Sequence, residues 1–251
     1  MKLIVAGSTG FVGTELIRQA LSHPDVTSVI ALGRREIAVP ENIESNADAT
    51  KLKCVVCADF EDYPESVKKE LAGADACIWT IAITPAELRS VGWEQACKIC
   101  RDYAIKGIEI ITKLPREDGK KAFRWVYISG SSSVRDPTEK PWVLGDYCVM
   151  RGDVESKILK YAEESKGAVE VCVAKPGMID APGRSGLLLN AAKTVGRVLL
   201  GLPRVDVSEI SAALLDQVVN GFEKETFQNE DLVRIGQGIL QGKRREEERG
   251  Q

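Results

Sequence analysis

In the stretch DYCVMRGDVESK, residues 146–157, Tyr147 and Arg151 stand four positions apart. On a helix that spacing is one turn, so a guanidinium shares a face with the phenol. A free tyrosine loses its proton near about pH 10, and a neighbouring positive charge favours the phenolate, bringing the group toward general acid or base work near neutrality. Upstream, the apolar run in YISGSSSVRD ends in a serine cluster. A hydroxyl at Ser131 could hold a carbonyl or enol oxygen within reach of the tyrosine. The competing reading places Tyr147 on an ordinary apolar stripe with Met150, Val154 and Ile158.

A second set of residues suits a dinucleotide. VAGSTGFVG puts Gly7, Gly10 and Gly13 at three-residue spacing, after an apolar run and before a helical pattern, with Ser8, Thr9, Phe11 and Val12 between them. Gly7 permits a tight turn, Gly10 lets backbone N–H groups approach a pyrophosphate, and Gly13 allows close helix-to-sheet packing. The next apolar run ends ALGRR. An NAD-preferring site usually has an acidic residue there for the ribose, whereas Arg34 and Arg35 suit the 2′-phosphate of NADP(H). Asp59, in CADF, either holds the adenine amino group or simply ends a strand.

These residues need elements to position them. Apolar, β-branched runs at 3–7, 26–33, 52–60, 75–82, 124–130 and 169–177 alternate with segments of helical period, which predicts a doubly wound parallel α/β sheet. Val12, Leu16, Ile17, Ala20 and Leu21 give the first helix its apolar stripe. Long helical segments are expected over 92–114 and 144–166, the second ending at Gly167. Beyond Gly177 the pattern predicts a loop, helices around 187–200 and 208–222, and a weak strand at 232–235. No linker divides the chain: residues 1–240 are expected to form one domain, followed by a charged, disordered tail at 241–251.

Composition narrows the classes. The chain has 251 residues, 44% hydrophobic and 28% charged, with apolar runs too short for a membrane helix. Its net charge of −3, from 34 basic and 37 acidic residues, gives no clustered positive field for nucleic acid. One histidine, His23, leaves little room for a Ser-His-Asp hydrolase. Of seven cysteines, the pair in CVVC, Cys54 and Cys57, lies in a strand-like run and points to opposite faces, so free thiols in a reducing compartment are expected rather than a metal knuckle. The N-terminus lacks the pattern of a secretory signal, and a cytosolic protein is expected. Trp79, Trp93 and Trp142 could line an apolar pocket, Trp142 being nearest to Tyr147 in sequence.

The motifs GSTGFVG, YISGSSS followed by tyrosine, and AKPGMI, with its Pro176–Gly177 turn, bring a family into view. Over about residues 1–240 the chain resembles the short-chain dehydrogenase/reductase superfamily, in its atypical NmrA-like and Tat-interacting-protein-like branch. More narrowly, GSTGFVGTELIRQAL and the stretch from SVRDPTEKPW to DYCVMRGDVE look like fungal averufin-oxidase-like proteins encoded with polyketide synthases. That resemblance implies a fused aromatic polyketide as substrate. Arg151 is the departure, because the superfamily has lysine there; arginine is bulkier, planar and keeps its proton.

The expectation is an NADP(H)-dependent enzyme acting on a carbonyl or phenolic aromatic small molecule, without nucleic-acid or membrane partners. Ser131 would orient the oxygen, Tyr147 would move the proton and Arg151 would stabilise the phenolate, with Pro176 beside the nicotinamide. Two alternatives keep the fold: a redox-silent isomerase, cyclase or dehydratase, and a non-catalytic dinucleotide sensor. Subunit count is not readable from the sequence.

Overall fold

The computed structural model describes residues 1–180 and 203–249. Seven parallel strands form the central sheet in the order β3-β2-β1-β4-β5-β6-β9. They are β1 Lys2–Ala6, β2 Ser28–Gly33, β3 Leu52–Val56, β4 Ala76–Trp79, β5 Phe123–Ile128, β6 Val169–Lys175 and β9 Thr226–Gln228. A separate pair, β7 Met178–Asp180 with β8 Arg204–Asp206, lies beyond β6. The six strands read from the sequence are all present. The apolar, unalternating character of β1, β2 and β4 follows from burial on both faces, whereas β3 at the sheet edge is only partly buried.

Helices cover the two faces separately. One layer holds α2 Glu65–Leu71, the short α3 Leu88–Val91, α4 Trp93–Cys97, a π-helical turn at Lys98–Asp102, α5 Tyr103–Ile111 and α6 Gly145–Glu164. The other holds α1 Phe11–Ser22, α7 Val207–Asn220 and α8 Asn229–Arg249. Each layer closes its own apolar core, the first around Trp79, Trp125 and Ile108, the second around Leu3, Leu16, Leu21 and Leu214. Cys57 belongs to the first and Cys54 packs on the second, as strand alternation dictates. All seven cysteines are free, six of them buried.

Two expectations for the C-terminal part change. Residues 232–235 are helical, inside α8: Leu232 and Ile235 are buried one turn apart, the spacing of a helix face, and Arg234 between them interrupts the apolar run a strand was read from. The edge strand is β9 instead. The charged run expected as a disordered tail continues α8 to Arg249. The helix expected around 187–200 lies outside the described residues.

Candidate active site at the carboxyl edge of the sheet

The glycine turn sits between β1 and α1. Gly7 has φ +90°, where a side chain would be strained and would also strike the Thr80 hydroxyl. A β-carbon at Gly13 would strike the Gly7 carbonyl, so α1 can press on the turn only because that position is bare. Gly10 caps α1 without a side-chain hydrogen bond, and no acidic residue occupies the helix's first turn. That leaves a positive helix end facing the turn. Ser8 is fully buried, and its hydroxyl has no hydrogen-bond partner among the described residues. Thr9 is exposed, while Phe11 and Val12 are half-buried on the first turn of α1. An uncapped helix end, a bare cradle and an orphan hydroxyl fit a dinucleotide.

Arg34 and Arg35 follow the last residue of β2, both exposed and without a carboxylate partner among the described residues. Asp59 is already engaged. Its carboxylate accepts from the Glu61 N–H at 3.0 Å, and Lys98 Nζ stands 3.5 Å away. The Glu61 N–H, outweighing slight burial and joined by Tyr103 and Lys98, holds this carboxyl below its ordinary value. The adenine contact expected of Asp59 therefore competes with a local network already in place.

Tyr147 lies half-buried in the first turn of α6, and its hydroxyl donates to the Ile83 carbonyl at 2.7 Å. The Ile83 N–H donates in turn to Cys100 Sγ at 3.1 Å. The π-helical turn places Cys100 there, giving the loop after β4 an anchor on each side of Ile83. Burial pushes the phenol above its ordinary value, with Arg151 opposing. This corrects the expected balance: the guanidinium favours the phenolate, but desolvation outweighs it.

Arg151 is itself fully buried. It hydrogen-bonds the Ile128 carbonyl at the end of β5 and lies 5.0 Å from the Tyr127 ring centre, with Cys100 also beside it. It is a cation enclosed behind the tyrosine rather than one reaching outward as the usual lysine does.

Ser131 is half-buried just past β5 and donates its N–H to the Pro176 carbonyl at 2.8 Å, joining the loops that follow β5 and β6. The Val134 N–H reaches the Cys148 carbonyl on α6 at 3.2 Å, so the serine segment is tied to the turn that carries Tyr147. Pro176 is buried, and Gly177 after it is bare because a side chain would strike the Pro203 carbonyl.

The tryptophans divide. Trp79 is core, stacked on Trp125 at 5.3 Å, and so not a pocket wall. Trp93 is 46% exposed and Trp142 98% exposed, with Val143 and Leu144 half in solvent beside it. Instead of lining a closed pocket, Trp142 stands clear of the body just before α6. Leu144 takes a left-handed φ of 55°, strained for a bulky residue. Missed from the sequence were Ile83, acting through its backbone; Cys100, whose placement depends on a π turn; and a buried group around Glu155 and Lys175.

Glycine turn, orphan serine and tyrosine helix all lie at the carboxyl ends of the strands, where open parallel sheets bind their ligands. The chain belongs to the NAD(P)H-binding family, whose sequence pattern matches residues 7–217. Two curated relatives, from Candida albicans and Coccidioides immitis, share 24% identity with it and are each named Protein FMP52, mitochondrial. The first alignment covers 95% of this chain and all of the relative; the second covers 92% and 95%. Among solved structures, the dTDP-glucose 4,6-dehydratase DesIV from Streptomyces venezuelae, with NAD and TYD bound, superposes with TM-score 0.65 at 17% identity, over 96% of this chain and 81% of that one. Vestitone reductase from alfalfa gives 0.62 at 18% identity, over 90% and 76%. Both share the fold. The name that the two relatives carry overturns the cytosolic expectation, which rested on the lack of a secretory pattern and could not tell one intracellular compartment from another.

Proposed function

We propose that this chain is an NADP(H)-dependent reductase of a carbonyl group on an aromatic small molecule, working in mitochondria as the names of its relatives suggest. The observation that carries the reading is Tyr147, a phenol kept protonated by burial at the carboxyl edge beside the dinucleotide turn. The glycine turn and Ser8 would hold the diphosphate half of the cofactor, and Arg34 with Arg35 the 2′-phosphate. When bound, the reduced nicotinamide supplies a hydride.

The remaining work falls to the chain. Ser131 orients the carbonyl oxygen, and Tyr147 releases Ile83 and delivers its proton to that oxygen as charge builds there. Arg151, one turn along, steadies the phenolate left behind without touching substrate. An aromatic body is supported by the exposed apolar run Trp142, Val143 and Leu144 just before the helix of the tyrosine. Neither the fold nor the relatives' names single out a polyketide, so the substrate is proposed at the level of aromatic carbonyl compounds.

Phenanthrenequinone, a planar aromatic diketone, serves as the test substrate. Incubation with NADPH under nitrogen, so that oxygen does not return the hydroquinone to the quinone, should consume the cofactor and yield a product heavier by two hydrogens. Consumption of NADPH without that product, or a product of unchanged mass, contradicts the reading.

A further inference from the structure

Glu155 lies on α6 two turns past Tyr147, and its carboxylate is completely buried. No step above uses it. Oε1 accepts from the Ser129 hydroxyl just past β5, itself 3.1 Å from the Ser133 hydroxyl. Oε2 faces Arg135 Nε at 2.9 Å and Lys175 Nζ at 3.4 Å. Lys175, the last residue of β6, also donates to the Ser133 carbonyl at 2.6 Å. Arg135 continues to Glu225 at 3.1 Å and to the Thr226 hydroxyl at 2.8 Å.

A carboxylate is tolerated out of water only where opposite charge and hydrogen bonds satisfy it. Here every group that does so belongs to the 129–135 segment or to the end of β6 beside it. Ser131 lies within that segment. We propose that Glu155 is the positioning residue of this site: its carboxylate clamps the 129–135 segment to α6 and so sets where Ser131 stands relative to Tyr147. The kinetic part of the test rests on the reductase reading; the exchange part does not.

Glu155→Gln preserves shape and an acceptor for Ser129 but leaves Arg135 and Lys175 without their shared counter-charge. Amide hydrogen exchange on the intact protein should then quicken about tenfold or more in peptides covering Ser131 and Val134, with β1 and β2 unchanged. Unchanged exchange in that segment, or equal quickening throughout the sheet, overturns the proposal. If Glu155→Gln does not fold, Ser129→Ala removes one hydroxyl and no charge, and is judged by the same two outcomes. In NADPH-dependent reduction of phenanthrenequinone, Glu155→Gln should lower kcat by about tenfold or more and leave KM for NADPH within about twofold. It should add little in a Ser131→Ala background, whereas an undiminished further loss there overturns the proposal. Should the unmodified protein not turn the quinone over at all, the reductase reading fails and exchange alone decides the role of Glu155.

Discussion

Tyr147 holds its proton through neutrality because desolvation outweighs the guanidinium behind it. Such a group is an acid at working pH, so reduction of an aromatic carbonyl should keep a level rate from about pH 6 to about pH 9 and fall only as the phenol ionises. A kcat that instead rises steadily toward alkaline pH would mean that the phenolate is the working form. Tyr147→Phe removes the proton and one hydrogen bond to Ile83. Turnover should drop by about a hundredfold or more while stability changes by only about 1 kcal/mol, read from steady-state rates and urea midpoints. At this scale the sequence was legible where a residue's role is fixed by backbone geometry, as at Gly7 and Gly13. It was not legible where burial decides. Nothing in DYCVMRGDVESK says that Arg151 is enclosed or that Glu155, one turn further on, is completely buried. Trp142 adjoins the helix of Tyr147 in sequence, yet its indole stands in solvent.

Helix α6 meets the serine segment through a backbone contact that admits no side chain. Gly152 on α6 lies against the Val134 carbonyl, and a β-carbon there would drive the serine segment off the helix. Gly152→Ala should therefore cost about 1 to 3 kcal/mol in chemical unfolding and slow turnover as well. An alanine variant as stable as the parent would show that the segment can yield. At the N-terminus of α7, Asp206 and Glu209 form a reciprocal capping box. Long amphipathic helices such as α1 and α6 were readable from their periodicity, with ends within a residue or two. The helix carrying Leu232 and Ile235 was not: the short stretch Leu-Val-Arg-Ile spans about one turn, too little to fix a period, and the β6 edge that selects β9 as its neighbour is a long-range contact. The π-helical turn that aims Cys100 at Ile83 left no mark in the sequence either.

For the molecule as a whole, burial of neutral acids makes stability fall at high pH. Desolvation, aided by Asp59 and Asp62, pushes the Cys57 thiol up to about 11 from an ordinary 9.0. Burial likewise raises Tyr63 and Tyr127. Each group is held protonated in the fold, so its contribution is fully present below the unfolded value and is lost as pH rises through the folded one. Urea midpoints should be level up to about pH 8.5 and decline above about pH 9. A midpoint that climbs through that window would contradict the assignment.

The doubly wound parallel sheet followed directly from alternating apolar runs, because such a pattern leaves few other topologies. The compartment did not, since nothing in composition distinguishes one reducing interior from another. The central claim is that the turn at Gly7 and the guanidinium groups at Arg34 and Arg35 hold NADPH. Calorimetric titration of the purified protein with NADPH and with NADH tests it most directly. NADPH should bind about tenfold or more tighter, with the preference lost in Arg34→Ser/Arg35→Ser. Absence of binding by either nucleotide, or a preference for NADH, would contradict the account.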